Sequence, residues 1–241
     1  MSNLLDRREV RIQRMFDGIA PKYDLLNHLL SLNIDKIWRK RAVQMVPATT
    51  GPVLDLCTGT GDLAFAYDRA AKGRVPIIGA DFSAEMLVQA VRKSQKRGSH
   101  PRLGFVQADA QRLPFASDYF EIATVAFGLR NVTDTDLGLR EMTRVVRPGG
   151  CVAVLEFSKP KHWLFGRFYK AYFRLFLPRV GQFVSKSEER AYEYLPASVT
   201  EFPDGEALAA RMRLAGLVNV TFTPFTFGIA TLYVGQKPEQ R

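Results

Sequence analysis

The decapeptide VLDLCTGTGD, residues 53–62, predicts a β-strand, a tight turn and the start of a helix. A short apolar run ends in two glycines, Gly59 and Gly61, which are separated by one residue, and a helical pattern follows them. Glycine lets backbone N–H groups approach a ligand closely, and the N-terminus of the following helix carries partial positive charge. We therefore expect the turn to bind an anionic group.

A carboxylate ends the next apolar run, about twenty residues after the turn. Residues 77–81 read IIGAD and end in Asp81. In a doubly wound sheet, an acid at this position usually binds the ribose hydroxyls of a nucleoside cofactor. The turn and Asp81 together predict such a site, although the glycine pattern that ends at Ala64 also fits a dinucleotide-binding fingerprint.

Two further features bear on the choice of cofactor. Asp109 and Ala110 follow a third predicted strand, and the sequence RPGG, residues 147–150, precedes a strand predicted over residues 151–157. Together with the glycine turn and the acid of the second strand, they resemble the class I S-adenosylmethionine (SAM) methyltransferases over approximately residues 50–157.

The resemblance implies that SAM binds along the carboxyl ends of the strands. Each carboxylate taken alone could equally be a helix N-cap or a solvated loop acid, but the four features in this order favour a cofactor site. The implied contacts are the methionine end of SAM on Gly59, Thr60 and Gly61, its ribose on Asp81, and its adenine beside Asp109 and Ala110.

The predicted elements give an α/β fold of the Rossmann-like class I methyltransferase type, with helices on both faces of a seven-stranded, mostly parallel sheet. Two closing strands form a C-terminal antiparallel hairpin. Helices are predicted over residues 63–72, 83–96, 135–146 and 206–215. Strands are predicted from residue 53 and over residues 75–81, 103–107, 122–127, 151–157, 218–222 and 229–236.

Length and charge limit the organisation and the partners. A parallel α/β chain of 241 residues usually forms one domain, so we expect a single methyltransferase domain over residues 1–241. The net charge is +10, which is typical of proteins that bind nucleic acid, an anionic membrane surface or an anionic substrate. Charge alone does not choose among these partners, and the sequence leaves open whether the chain forms a homodimer.

The two cysteines, Cys57 and Cys151, fall in predicted core strands, which favours buried thiols over a disulfide framework or a metal cluster. The first nine residues lack the apolar core of a signal peptide. No apolar stretch approaches the roughly 20 residues that span a bilayer. We therefore expect a cytoplasmic protein.

Residues 1–47 predict a helical N-terminal cap, with helices over 4–19, 23–32 and 35–46. Such a cap is well placed to cover a cofactor at the strand ends, or it simply closes the sheet. Three stretches resemble the menaquinone and ubiquinone C-methyltransferases over nearly the whole chain. They are MFDGIAPKYDLLNHLLSL (residues 15–32), FGLRNV (127–132) and LEFSKP (155–160).

This second resemblance implies SAM-dependent methylation of a ring carbon in a polyprenylated quinol. The closing TFGIATLY, residues 226–233, is similar to the menaquinone enzymes, which implies 2-demethylmenaquinol as the substrate. A benzoquinol of the ubiquinone pathway and a phylloquinone-pathway substrate remain alternatives. An RNA methyltransferase or a nicotinamide-dependent oxidoreductase would belong to other classes. Ala126 departs from the family, in which a serine is common at this position.

Nucleic acid is not an expected partner. After strand 4 the chain reads AFGL, residues 126–129, whereas enzymes that methylate an exocyclic amine of nucleic acid carry a proline-rich aromatic clamp there. The chain also lacks a Pro-Cys pair, whose thiolate would add to a pyrimidine ring.

Residues 160–200 predict a helical insertion on the substrate side. Within it, residues 161–179 alternate aromatic and basic side chains at helical spacing. This pattern is typical of a helix at the inner membrane surface or along an apolar substrate channel, and equally of an ordinary helix buried on the sheet.

The catalytic candidates follow from the chemistry that the resemblance implies. A ring carbon becomes nucleophilic only when an adjacent hydroxyl loses its proton, whereas the sulfonium methyl is already reactive and needs no metal. Arg130 could donate to that oxygen; alternatively it is a surface arginine or forms a salt bridge with Asp134. His28 and Tyr23 are candidates for proton transfer, and His28 could equally pack between helices.

Overall fold

The computed structural model describes residues 13, 15–18, 20, 23–160, 194 and 196–239. These residues form one seven-stranded sheet with the order β3-β2-β1-β4-β5-β7-β6. Strands β1 to β5 are parallel, and β7 lies antiparallel between β5 and β6. The strands are β1 Val53–Leu56, β2 Ile77–Asp81, β3 Leu103–Gln107, β4 Phe120–Ala126, β5 Val146–Phe157, β6 Val218–Phe225 and β7 Ala230–Gln236.

The helices with defined bounds are α1 Tyr23–Leu30, α2 Ile34–Met45, α3 Asp62–Ala71, α4 Ala84–Arg97, α5 Thr135–Val145 and α6 Glu206–Leu214. Residues 15–18 and 196–201 are also helical. Two short 3-10 turns lie at Leu129–Asn131 and Thr226–Gly228. The predicted α/β architecture with its C-terminal antiparallel hairpin is confirmed.

The sheet separates the core into two layers, and β1 contributes apolar side chains to both. Val53 belongs to a cluster with residues of α2 and α3, whereas Leu54 and Leu56 belong to a cluster with residues of α5 and α6. Successive side chains of a strand point to opposite faces, which places helices on both sides of the sheet. Strand β1 has β2 on one side and β4 on the other. The chain therefore reverses its strand order at β1, which opens a crevice at the carboxyl ends.

Strand β5 differs from its prediction. It begins at Val146 and runs through RPGG, whereas the sequence predicted a turn there and a strand from Cys151. Phe120 pairs with Val146 and Ile122 with Cys151, so the register shifts where β5 carries extra residues. Gly149 has a φ of +75°, which lets the chain bulge and return to the sheet.

Four other strands also differ from their predicted bounds. Strand β4 spans Phe120–Ala126 rather than 122–127, and β7 begins at Ala230 rather than at residue 229. Strand β2 begins at Ile77 rather than residue 75, because Pro76 has no N–H to donate to the sheet. Strand β6 continues to Phe225 rather than ending at residue 222, and there it pairs with Ala230. Helix α4 follows its prediction closely: the Ser83 hydroxyl accepts a hydrogen bond from the Met86 N–H at 3.1 Å.

Some predicted elements lie outside the described residues. They include most of the helix predicted over 4–19 and the basic aromatic segment 161–179. Within the described part of the chain, no helix is both long enough and apolar enough to cross a bilayer.

Candidate active site

A cleft opens at the carboxyl ends of β1, β2, β3 and β4. It encloses about 790 Å³ of empty space when the open mouth is included. Its walls come from the turn after β1, the end of β2, the loop after β3, the turn after β4 and the N-terminal residues. The lining residues used below are Phe16, Tyr23, Cys57, Gly59, Asp81, Met86, Asp109, Ala110, Phe127, Gly128, Asn131 and Val132.

The turn after β1 requires glycine at two positions for different reasons. Gly59 has a φ of +57° and lines the cleft. Gly61 has a φ of +88°, and a Cβ there would lie 2.9 Å from the ring of Phe65. Gly59 therefore lets the backbone approach a ligand. Gly61 has no side chain, which lets helix α3 begin close to the ring of Phe65.

Asp55 fixes the shape of this turn from inside the sheet. Its Oδ2 accepts hydrogen bonds from the Thr58 hydroxyl at 2.6 Å and from the Ala64 N–H at 3.0 Å. Burial raises the pKa of Asp55 to about 7, although both hydrogen bonds act in the opposite direction. Asp55 is not among the site residues predicted from the sequence. Its position as an acid in the middle of an apolar strand could have indicated it.

The raised pKa of Asp55 predicts a pH dependence of stability. Between about pH 4 and pH 7 the carboxyl is ionised when unfolded but protonated when folded, so its contribution to stability falls as the pH rises, by roughly 1.4 kcal/mol per unit. Asp55→Asn keeps an oxygen acceptor for Thr58 and Ala64 and removes the titration.

We therefore expect the unfolding free energy of Asp55→Asn to increase relative to that of wild type as the pH rises. Urea unfolding at half-unit steps from pH 4 to pH 7 measures this difference. A constant difference over that range would contradict the assigned titration.

Asp81 stands at the end of β2 and faces the cleft. Its Oδ2 accepts the Gly59 N–H at 2.7 Å, and its Oδ1 accepts the Ser83 N–H at 2.9 Å. Burial raises the pKa of Asp81, although these backbone donors lower it in part. The carboxylate is thus fixed by two loops while it still borders the cleft, as a ribose-binding acid requires.

Asp109 and Ala110 lie on the neighbouring wall of the cleft, after β3. Oδ1 of Asp109 accepts the Gln111 N–H at 2.8 Å, which orients the carboxylate. Ala110 is 7% exposed and lines the cleft together with Met86 and Val132. An apolar slot with an acid at its rim suits a purine base and its polar edge.

Thr60 lies behind the cleft rather than on its wall. It is 3% exposed, and its hydroxyl donates to Asp24 of helix α1. Lys93 of α4 bonds to the same groups, with Nζ 2.6 Å from Asp24, 3.1 Å from Thr60 and 2.8 Å from Asp62. This polar cluster ties the N-terminal cap to the glycine turn and to the start of α3. The hydroxyl of Thr60 is therefore engaged away from the cleft.

Lys93→Met should loosen this connection. The variant leaves Asp24 and Asp62 without their shared cation, so we expect a loss of about 1–2 kcal/mol of stability, since the group is partly buried. SAM affinity should fall about tenfold, which corresponds to about 1.4 kcal/mol.

Urea unfolding and calorimetric titration with SAM measure the two effects. Lys96→Met, on an exposed position of the same helix, is the matched control and should change neither quantity. An unchanged SAM affinity in Lys93→Met would show that the cap does not support the turn.

His28 packs between helices rather than against the cleft. Its Nδ1 lies 2.9 Å from Asp35 and its Nε2 lies 3.5 Å from Asp62. Arg39 also contacts both carboxylates. With both ring nitrogens next to acids, His28 is better placed to hold α1 on α2 and α3 than to exchange a proton with a ligand.

Tyr23 does line the cleft. Burial raises its pKa, whereas a hydrogen bond with Asn27 and the positive charges of Arg130 and Arg39 act in the opposite direction. The phenol therefore stays neutral at ordinary pH and offers both a donor and an acceptor to a ligand.

Arg130 is buried, and its ion-pair partner is Glu156 of β5 rather than the predicted alternative Asp134. Its Nη1 lies 2.9 Å from Oε1 of Glu156, and it also donates to the carbonyl of Phe127. Glu156 is only 1% exposed. Nε of Arg130 is buried and has no hydrogen-bond partner among the described residues. Asp134 instead caps helix α5 through the Leu137 N–H.

Cys57 also differs from its prediction. It follows β1 with a φ of +50° and lines the cleft, so it is not a core strand residue. Burial raises the pKa of its thiol well above the ordinary value, with Asp81 and Asp55 adding to the effect. The thiol is therefore neutral, and it packs against Gly128, where an added Cβ would lie 2.4 Å from the Cys57 Cβ.

The charge of the cleft is opposite to that of the chain. The described lining residues include Asp81 and Asp109 and no lysine or arginine, although the chain carries +10. Oδ1 of Asn131 is buried there and lacks a hydrogen-bond partner among the described residues. A cationic nucleoside such as SAM fits this lining, whereas the pyrophosphate of a nicotinamide dinucleotide does not.

The fold is shared with known methyltransferases. A SAM-dependent methyltransferase of Thermotoga maritima superposes with a TM-score of 0.65 at 18% identity, covering 94% of this chain and 99% of that one. A SAM-dependent methyltransferase of Aquifex aeolicus gives a TM-score of 0.59 at 14% identity, covering 82% and 88%. These similarities confirm the class I methyltransferase fold.

Sequence comparison identifies the family. A protein of Geotalea daltonii named ubiquinone/menaquinone biosynthesis C-methyltransferase UbiE is 44% identical, covering 98% of this chain and 100% of that protein. A demethylmenaquinone methyltransferase of Thermus thermophilus is 46% identical, covering 93% and 100%. A model of the ubiE/COQ5 methyltransferase family matches residues 4–237. The chain therefore belongs to the ubiE/COQ5 methyltransferase family.

Proposed function

We propose that this SAM-dependent methyltransferase methylates a ring carbon of a polyprenylated quinol and converts 2-demethylmenaquinol to menaquinol. Membership of the family supports the reaction type, and the name of the Thermus relative supports the substrate. The observation that carries the proposal is the cleft itself, in which two acids lie near the aromatic rings of Phe16, Tyr23 and Phe127.

The residues present fit SAM as the methyl donor. Asp81 would accept the ribose hydroxyls, and Asp109 with Ala110 would border the adenine. The turn of Gly59, Thr60 and Gly61 would border the methionine end, with Gly59 on the cleft wall. When bound, SAM supplies a reactive methyl group beside the acidic lining of the cleft, which favours its positive charge.

The chain's own residues would position the quinol and assist the loss of its proton. Tyr23 borders the cleft, and its neutral hydroxyl can hold the quinol oxygen next to the reacting carbon or pass a proton to water. Arg130 would act through its positive charge beside Tyr23, because Glu156 and a backbone carbonyl already occupy its Nη1. His28 would support this arrangement from behind, by holding helix α1.

A polyprenyl tail would keep the substrate in the membrane. We infer that the protein works in the cytoplasm at the inner membrane surface, and that the basic aromatic segment 161–179 contributes to this contact. That segment lies outside the described residues, so the support is its sequence pattern.

The test is turnover by the purified protein. SAM together with 2-demethylmenaquinol should yield S-adenosylhomocysteine and menaquinol in equal amounts, and a demethylated benzoquinol run in parallel measures the selectivity. No turnover with either quinol would reject the proposal. Salt-sensitive methylation of RNA, or NADH binding without SAM binding, would move the protein to another class.

A further inference from the structure

We infer that an exposed surface of helix α2 and the turn Thr226–Gly228 docks on an anionic lipid bilayer. This docking face consists of Lys36, Ile37, Lys40 and Arg41 of α2 and Phe227 of the turn. Its purpose depends on the proposed quinol substrate, whereas its binding to lipid can be measured without quinol or SAM. It is separate from segment 161–179.

The docking face combines exposed apolar and cationic side chains. Ile37 is 56% exposed and Phe227 is 70% exposed. Lys36, Lys40 and Arg41 are exposed on the same side of α2, because residues three and four apart share a helix face. A helix with lysine or arginine beside large apolar groups is typical of contact with an anionic bilayer.

The charge of this face is not balanced by acids of the same helix. The acid of α2 is Asp35, which is buried and paired with Arg39 on the opposite side. The charged groups on the exposed side of α2 are therefore all cationic, which complements anionic lipid headgroups. A neutral apolar partner would not require these three cations.

The turn presents Phe227 in an unusual backbone conformation. Thr226 and Phe227 have φ values of +44° and +57°, a region that bulky residues seldom adopt. Such strain persists where surrounding contacts fix it, and it often marks a functional position. Here it exposes an aromatic ring to solvent, which suits insertion between lipid headgroups.

Contacts join the two parts of the face. Nε1 of Trp38 donates to the Thr226 hydroxyl at 2.8 Å, and the guanidinium of Arg41 lies 5.6 Å from the ring centre of Phe225. Trp38 follows Ile37 and Thr226 precedes Phe227 in sequence, so this hydrogen bond joins the segments that carry the two exposed apolar residues. The helix and the turn thus form one surface.

This surface lies at the edge of the sheet that carries the cleft. Strands β5 and β6 are parallel because each pairs antiparallel with β7, and Phe157 and Phe225 both lie opposite Ala230. The turn therefore follows the carboxyl end of the sheet. The ring centres of Trp38 and Phe127 lie 5.9 Å apart, and Phe127 belongs to the cleft wall. Docking would bring the cleft close to the bilayer that holds a polyprenylated quinol.

Co-sedimentation with vesicles tests the docking face. The full-length protein should bind vesicles of phosphatidylglycerol and phosphatidylcholine, and bind them less as salt increases. Lys36→Glu/Lys40→Glu should weaken binding at least about 20-fold, since each cation near an anionic surface is worth about fivefold. Phe227→Asn should weaken it about fivefold, and asparagine tolerates the positive φ of this position.

The matched control changes one lysine and one exposed apolar residue elsewhere. Lys96→Glu/Leu214→Ser should bind vesicles as wild type does. Circular dichroism and SAM titration check that every variant is folded. Unchanged binding by the face variants would overturn the inference and assign membrane contact to another part of the chain.

Three further results would also overturn it. One is equal binding of wild type to pure phosphatidylcholine, and another is no binding to either vesicle. The third is tighter binding to single-stranded RNA that the face variants abolish, which would make nucleic acid the partner. Failure of quinol turnover with intact vesicle binding would reject the proposed substrate alone.

Discussion

Asp81→Ala is expected to weaken SAM binding at least 100-fold while the protein remains folded. The carboxylate would accept the two ribose hydroxyls, and a hydrogen bond to a charged group contributes about 1.5–3 kcal/mol. The variant also frees the N–H groups of Gly59 and Ser83, which Asp81 now holds at 2.7 and 2.9 Å. The substitution therefore removes the ribose contact and also the acceptor that holds the glycine turn.

Isothermal titration with SAM and with S-adenosylhomocysteine measures this loss. Asp81→Asn keeps one acceptor oxygen, so its affinity should lie between those of wild type and Asp81→Ala. Asp118→Ala removes an exposed acid that pairs with Lys237, and it should leave SAM binding unchanged. An affinity of Asp81→Ala within fivefold of wild type would refute the assigned ribose contact.

Acidification should weaken SAM binding through the same carboxylate. Burial raises the pKa of Asp81, so the ionised form is lost at a higher pH than for an ordinary carboxyl. The affinity should therefore begin to fall before solvent-exposed acids titrate. Titration of Asp81→Asn over the same pH range should lack this component.

Arg130→Met is expected to destabilise the protein by about 3–5 kcal/mol, because it leaves a buried charge without its partner. Glu156 is 1% exposed, and its carboxylate lies 2.9 Å from Nη1 of Arg130. Urea unfolding measures the effect. Arg211→Met breaks an exposed ion pair with Asp136 and should cost at most about 1 kcal/mol.

The double variant Arg130→Met/Glu156→Gln separates stability from chemistry. Glutamine keeps an acceptor for the Phe157 N–H, which Oε1 of Glu156 now accepts at 2.9 Å, and removes the uncompensated charge. Much of the stability should return. Turnover should stay low if the guanidinium serves the reaction beside Tyr23. Recovery of turnover together with stability would reduce Arg130 to a structural role.

Local sequence predicted the elements that carry the site. Residues 53–62 encode a strand, a turn and a helix start through their own backbone preferences, and the acids at positions 81 and 109 follow directly from strand ends. The sequence also predicted the seven-stranded sheet and its closing hairpin. The boundary errors at β2 and β5 arose where proline and glycine act through pairing with a neighbouring strand, which adjacent residues do not reveal.

The partners of the polar side chains, in contrast, were determined by contacts between residues that are distant in sequence. Sequence reasoning offered Asp134, four residues away, as a partner of Arg130, yet the partner is Glu156, which is 26 residues away. It also did not reveal that the hydroxyl of Thr60 is held by Asp24, 36 residues earlier. It missed Lys93, which reaches Asp24 across 69 residues.

The sequence by itself determined the order of strands and helices, the glycine turn, and the acids that end the strands, because these follow from short-range backbone preference and hydrophobic periodicity. Tertiary structure alone decided which charges neutralise one another. The reason is that burial forces each polar group to find a partner in space. Packing of distant segments, rather than distance along the chain, determines which partner is within reach.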